Sequence, residues 1–410
     1  MTDVARLVNL TYGINASATT IGTAPGAFAT LLPRSTPASF FPRTRQAIDR
    51  PLASVDGRRF ARVLGPKDVG ELSLPLEFKG VDTNTGGAVA AWEAKMEQGN
   101  LLASLFGGVA TATTGAAPTV VSGSGTSLVA SSTVIANNDI LLLTTSVGTE
   151  IRQVASGGGT ANLTLDRALV GTATASSTII RGGRYTMATA TTVHTPVWFD
   201  AEGENWRRRY SDCQPSSLVL NVPNAGLVEA DFAFMPNDWT DETDGSPSFS
   251  APTAGSPIVS GGSGFFIGSN AFMLRNARLT VNVGMAMRET TTGANGIRGG
   301  VAADKTNIML EGELYVGSNT GAIGNAQDDS GGAGVSPFLN DILGDGFSAG
   351  TVATTQDIML SVGSAAGAAL YVRIPAADIR SPGVREGGAF AVLPFQAMAT
   401  GASPLTLGVF

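Results

Sequence analysis

The chain holds one cysteine, Cys213, and one histidine, His194, among 410 residues. A lone cysteine excludes an intrachain disulfide framework and any site built from several thiolates. A lone histidine leaves Ser-His-Asp or Cys-His chemistry a single base, and no flanking motif pairs it with a nucleophile, so both residues read as structural. Charge is scarce too: Asp, Glu, Lys and Arg make up 14% of the residues, the net charge is −7 and the pI is near 4.9. That balance argues against broad electrostatic capture of nucleic acid. No apolar run reaches the length of about 18 residues that a spanning helix needs. Even DILLLTT, beginning at Asp139, is short. The opening MTDVARLVNLTYGINASATT has Asp3 early and no unbroken apolar core, so no signal peptide is expected. The expectation is a soluble chain made inside the cell.

What is present is glycine, 52 residues of it, and a hydrophobic content of 43% that leaves ample material for a core. Apolar residues alternate with Ser, Thr and Gly, which predicts a mainly β protein with many tight turns. The clearest stretch is SDCQPSSLVLNVPNAGLVEADFAFMPNDW, from Ser211 to Trp239. Leu218, Leu220 and Val222 share one face, Pro223-Asn224-Ala225-Gly226 supplies a turn, and Val228, Ala230, Phe232 and Phe234 return. Period-two alternation on both arms predicts a β-hairpin. Its polar face carries Glu229 and Asp231.

Four regions differ in texture. Residues 1–68 form a proline-punctuated arm, basic after Arg34 through Arg43, Arg45, Arg58 and Arg59. It reads either as a solvated extension or as an arm lying on a neighbouring subunit. Residues 69–106 with 188–260 form a first β-sandwich module. It begins with the alternating strand ELSLPLEFK, where Pro75 favours a sheet edge, followed by a helix over Ala88–Phe106 weakened near its middle by Gly99. Residues 107–187, poor in charge, read as a small inserted β-barrel or sandwich that projects outward. Residues 261–410 form a second module. It contains a long strand Arg278–Arg288, the strand NIMLEGELYV with Glu311 and Glu313 outward, and a short helix near PFLNDILG. Strand, helix and further strands recur in both modules, which suggests a duplication.

No motif carries chemistry. Glu202 and Glu204 are an acid–base pair in principle, but Gly203 between them suggests a turn in a solvated loop. Asp238–Gly264 reads as an acidic loop, and Asp241, Glu242 and Asp244 lack the spacing of a calcium loop. Arg207, Arg208 and Arg209 follow Trp206; alternation splits their charges between two faces, which suits a salt-bridged interface better than nucleic-acid binding. No metal or cofactor site is expected.

The order of four stretches nevertheless resembles the tail tube (major tail) proteins of long-tailed bacteriophages. They are GRRFARVLGPKDVGELSLPLEF with LLASLFGG, the Ser211–Trp239 hairpin, MLRNARLTVNVGM with NIMLEGELYV and PFLNDIL, and LYVRIPAADIRSPGVREGGAFAVLPFQAMA. The resemblance spans most of the chain outside 1–50 and 107–187. It implies β-sandwich modules that close into homo-oligomeric rings, stacked into a hollow tube for DNA passage. A two-module chain would close as a trimer where single-module chains need a hexamer. Tape measure, tail terminator or baseplate proteins would be partners, with transient, non-specific DNA in the lumen. Glu229, Asp231, Glu311 and Glu313 are then candidate lumen residues; Arg43, Arg45, Arg58, Arg59, Arg207, Arg208 and Arg209 are candidate inter-subunit residues. Two other readings stay open: a distal tail or host-contacting virion protein, and a carbohydrate-active enzyme using Glu202 or Glu204.

Overall fold

The computed structural model describes residues 7–15, 22–40, 47–51, 60–64, 70–81, 96–107, 117–187, 194–203, 206–242, 255–261, 264–268, 270–289, 298–303, 306–316, 355–380, 385–386, 391–401 and 404–410. In chain order the first elements are β1 (Leu7–Ile14), β2 (Ala29–Thr30), the hairpin of β3 (Ala47–Pro51) and β4 (Phe60–Leu64), β5 (Leu72–Glu77) and the helix α1 (Gly99–Phe106). Six strands follow: β6 (Val120–Ser124), β7 (Ser127–Ala130), β8 (Ile140–Thr145), β9 (Gly148–Ser156), β10 (Asn162–Leu165) and β11 (Ile180–Arg181). Then come β12 (Gly183–Thr186), β13 (Val197–Gly203), β14 (Arg207–Val222), β15 (Glu229–Met235), β16 (Asp238–Glu242), β17 (Gly264–Ile267), β18 (Asn270–Phe272) and β19 (Leu274–Asn282). The hairpin of β20 (Met285–Glu289) and β21 (Arg298–Ala303) leads to β22 (Asn307–Val316), β23 (Gln356–Ala365), β24 (Ala368–Arg380), β25 (Arg385–Glu386), β26 (Ala391–Ala399) and β27 (Thr406–Val409). The fold is mainly β and its ladders are antiparallel.

One broad sheet organises the rest. Its order is β5-β15-β14-β19-β22-β26-β24, and residues 33–34 of the arm bridge the outer edge of β5. β14 and β24 are long, 16 and 13 residues, because each serves two sheets. The first half of β14 belongs to a back sheet ordered β2-β1-β13-β14-β16. The first half of β24 belongs to a second back sheet, β12-β27-β24-β23-β17-β18. Both back sheets cover the apolar side of the broad sheet. Phe199 of β13 meets Phe234 edge-on at 5.1 Å between centroids, and Phe265 of β17 meets Phe395 at 5.3 Å. Phe232, Phe234, Leu74, Leu218 and Leu310 are all buried there. Each such side chain contributes roughly 1.5–3 kcal/mol by leaving water.

α1 starts later than periodicity predicts. Gly99 is its first residue, where it costs little, and Gly107 ends it at φ 75°, its N–H bonded to Ala103 O and Ser104 O. The earlier part of the expected helix lies outside the described residues, as does the expected helix at 337–344. The expected single strand Arg278–Arg288 is two strands, broken at Gly284 with φ 62°. The expected acidic loop is in part a strand: β16 pairs with β14, opposing Asp241 to Arg208 and Glu242 to Arg207. Opposite charges across a ladder stabilise pairing that a loop reading overlooks.

β6–β11 form a separate sheet ordered β11-β8-β9-β10-β7-β6, with a core of its own that includes Leu128, Leu141, Leu143 and Val154. It does not stand clear of the fold. Ile140, Leu142 and Ile151 pack on Phe266, Met359, Tyr371 and Phe410 of the second back sheet. The reason is legible in the run ILLL: both faces of β8 are apolar, so both must be covered. Polar groups fix the docked pose. Arg167 donates to Gly268 O at 2.8 Å and Asp357 O at 3.1 Å, while Arg373 forks onto Asp357 at 3.0 and 2.8 Å and also donates to Gln153. Arg152 and Arg167 both lie over the Phe266 ring, at 5.2 and 5.7 Å.

Candidate functional site: the polar face of the broad sheet

The side of the broad sheet turned away from the back sheets carries the sheet's charged residues among a few apolar ones, and its rows run straight across the strands. One row reads Glu77, Glu229, Asn221, Arg278, Glu311, Gln396, Arg380, each opposite the next. The neighbouring row reads Pro75, Asp231, Val219, Thr280, Met309, Met398, Asp378. Period-two alternation puts these residues on one face because their neighbours fill the core. The four acids singled out from sequence, Glu229, Asp231, Glu311 and Glu313, therefore stand on one face of one sheet. A groove of about 1040 Å³ runs over it, lined by Glu229, Arg278, Glu311, Glu313, Arg380 and Gln396 among others.

The face is not uniformly acidic. Glu77, Glu229, Asp231, Glu311, Glu313 and Asp378 stand with Arg34, Arg275, Arg278 and Arg380, six carboxylates to four guanidiniums. Most are paired. Arg34 bridges Glu229 at 2.7 Å and Asp231 at 2.9 Å. Arg275 and Asn276 hold Glu313 at 3.2 and 3.3 Å, Gln396 donates to Glu311 at 2.7 Å, and Arg380 meets Asp378 at 2.9 Å. Sequence reading overlooked these arginines. Arg278 lies opposite Glu311 in register, a pairing that alternation on β19 could have exposed. Arg34 sits in an irregular arm that has no period to read.

That arm is fastened. The Leu32 N–H donates to the buried carboxylate of Glu97 at 2.6 Å, and Arg34 N–H to Pro75 O at 3.0 Å. The Ser39 hydroxyl donates to Ser73 O at 3.1 Å and accepts from Ser73 N–H at 3.0 Å. Phe40 is fully buried against Phe199 and Tyr210. The outer edge of β5 is thereby blunted: Pro75 has no N–H and Ser73 is capped.

The arginine triplet is committed within the chain. Arg207 and Arg209 converge on Asp200, at 2.9 and 2.7 Å, and Arg207 also reaches Glu202 at 3.1 Å. Arg208 points the other way, forking onto Asp241 at 2.6 and 2.9 Å and stacking 3.5 Å over the Trp239 ring. Glu202 is a buried residue of β13, not part of a solvated loop, because that strand is covered on both faces. Glu204, Arg43, Arg45, Arg58 and Arg59 lie outside the described residues.

β14 passes from back sheet to broad sheet at Asp212, which has φ 48° and is buried. Its carboxylate gathers three donors: Trp198 Nε1 at 3.0 Å, Asn15 Nδ2 at 3.2 Å and Gly22 N–H at 2.9 Å. The adjacent Cys213 is fully buried, and burial pushes its thiol pKa well up, which makes it inert. His194 is buried against α1, Nδ1 donating to Ser104 O at 3.0 Å, and burial holds its pKa below the ordinary value. Among the described residues no three His, Cys, Asp or Glu side chains are grouped to hold a metal, and no described helix is long and apolar enough to cross a membrane. Neither the models of known protein families nor the curated protein sequences match this chain.

Proposed function

We propose that the chain is a structural subunit of a bacteriophage tail tube, in which the polar face of the broad sheet lines a channel for DNA. The observation that carries this reading is the sheet itself: it runs through both halves of the chain, and two rows of one face stay in register across all seven of its strands. We read the two halves as related modules. The hairpin β3–β4 leads to β5, and β13, β14 and β15 follow; the hairpin β20–β21 leads to β22, and β23, β24 and β26 follow. In each half the broad-sheet order is the same, β5-β15-β14 and β22-β26-β24, and the long strand crosses from back sheet to broad sheet.

Closure into a ring would remove the sheet's two open ends, which otherwise template aggregation. A conduit must not grip phosphate, since each phosphate contact adds affinity and friction. A wall whose guanidiniums are mostly held by carboxylates, with acids in excess, meets that need. We read the chain as non-enzymatic and without a cofactor, assembling with itself and with the proteins that end or template a tail. Negative-stain microscopy of the purified protein should show rings or tubes with a central hole. Monomers alone at high concentration, even with tail partners added, would sink the reading. A single terminal ring that never stacks would favour a distal tail protein instead.

A further inference from the structure

The joint between the two halves of this chain has a register that can be counted onto the two ends of the sheet. Inside the chain, β14 ends the first half's share of the broad sheet and pairs with β19, setting Asn221 opposite Arg278 and Val219 opposite Thr280. At one end, Asn221 pairs with Glu229 as Arg380 pairs with Gln396, and Val219 pairs with Asp231 as Asp378 pairs with Met398. At the other end, Leu279 pairs with Leu310 of β22 as Pro33 bridges Leu76 of β5, which makes Arg34 the counterpart of Thr280 and Leu32 the counterpart of Arg278.

We infer that the open end of β24 on one copy meets the arm of a second copy in this register, setting Asp378 against Arg34 and Arg380 against Leu32. The inference rests on the ring reading above and names the surface that closes it. The charges agree. Where the internal joint has the uncharged pair Val219–Thr280, the joint between copies has an acid and a base. Arg34 already holds Glu229 and Asp231 on its inner side, so Asp378 of the neighbour, itself beside Arg380, would flank it with a third carboxylate. An ion pair found at one joint and not the other gives order: the second half of one copy recognises the first half of the next, not its own kind. The backbone contributes little there, because Pro33 offers no N–H to a neighbouring strand. Side chains must therefore hold the register.

Paired cysteines test this. Within one chain, residues 34 and 378 lie at opposite ends of the sheet, roughly 30 Å apart at strand spacing, so a disulfide between them must join two copies. Under mild oxidation of assembled protein, Arg34→Cys with Asp378→Cys, and independently Leu32→Cys with Arg380→Cys, should give covalent oligomers ending at a closed ring on a non-reducing gel. Each single variant should remain monomeric on that gel; buried Cys213 will not contribute. Rings that form yet stay uncross-linked with both pairs would overturn this joint while leaving the tube reading intact. No rings at all, from the unaltered chain or the variants, would overturn both.

Discussion

At the scale of single residues, the most demanding position is Asp212. A non-glycine residue at φ 48° is strained, and here its carboxylate offsets that strain by satisfying three donors from β13, the arm and the residues after β1. Asp212→Ala leaves all three unmet and should cost about 3 kcal/mol, seen as a lower midpoint in chemical denaturation; a loss under about 0.5 kcal/mol would mean that Asp212 does not hold the corner. Asp212→Asn, which keeps one acceptor and tolerates positive φ, should lose less. His194 makes the stability pH-dependent. Burial lowers its pKa in the folded chain below the usual value of about 6.5, so the unfolded chain binds a proton that the folded chain refuses. Its contribution is intact above about pH 6.5 and is lost as the pH falls below that value. His194→Gln keeps a donor towards Ser104 O and should show a smaller drop in melting temperature between pH 7.5 and 5.0 than the unaltered protein. Equal drops would exclude His194 as the source.

At the scale of elements, the close approach at Gly80 ties the end of β5 to the second half. A Cβ there would lie 2.1 Å from Gly367 O and 2.3 Å from Phe410 O, both backbone atoms. Gly80→Ala must displace the β23–β24 turn or the C-terminal residue, and should destabilise by about 1–3 kcal/mol in thermal unfolding. An unchanged melting temperature would show that this contact gives way freely. The elements themselves were legible to differing degrees. The β14–β15 hairpin was open to reading because its arms alternate without interruption and Gly226, at φ 143°, turns them. β16 was not, because three acids in five residues, Asp238, Asp241 and Glu242, look like a solvated loop until Arg207 and Arg208 are placed opposite the last two. The docking of β6–β11 was half legible: ILLL announces two apolar faces, but nothing local says that Phe266 and Tyr371, over 200 residues from β8's start in the latter case, cover the second. The edge role of β5 was legible from Pro75, whereas the arm that caps it was not, since its grip comes from scattered single groups: the Ser39 hydroxyl, the backbone N–H groups of Leu32 and Arg34, the Arg34 side chain and Phe40.

At the scale of the molecule, a sheet that is apolar behind and polar in front leaves its front to water in a free monomer or to a partner, copies of itself included. Two points favour enclosure by such copies. Repeating the internal joint's register sets Arg34 at one end against Asp378 at the other, as inferred above, and the polar face already holds Arg34, Arg275 and Arg380 with its own carboxylates. The back sheets and the docked β6–β11 sheet are then on the outside of the wall, with that sheet held in one pose by the Arg167–Asp357–Arg373 cluster. The most direct measurement is a cryo-electron microscopy map of the assembled particle, cut across its axis. The account predicts a continuous β wall in which Glu229, Asp231, Glu311 and Glu313 face the central channel and the β6–β11 sheet lies at the outer radius. A channel bordered by the back sheets, or an assembly with no channel, would contradict it.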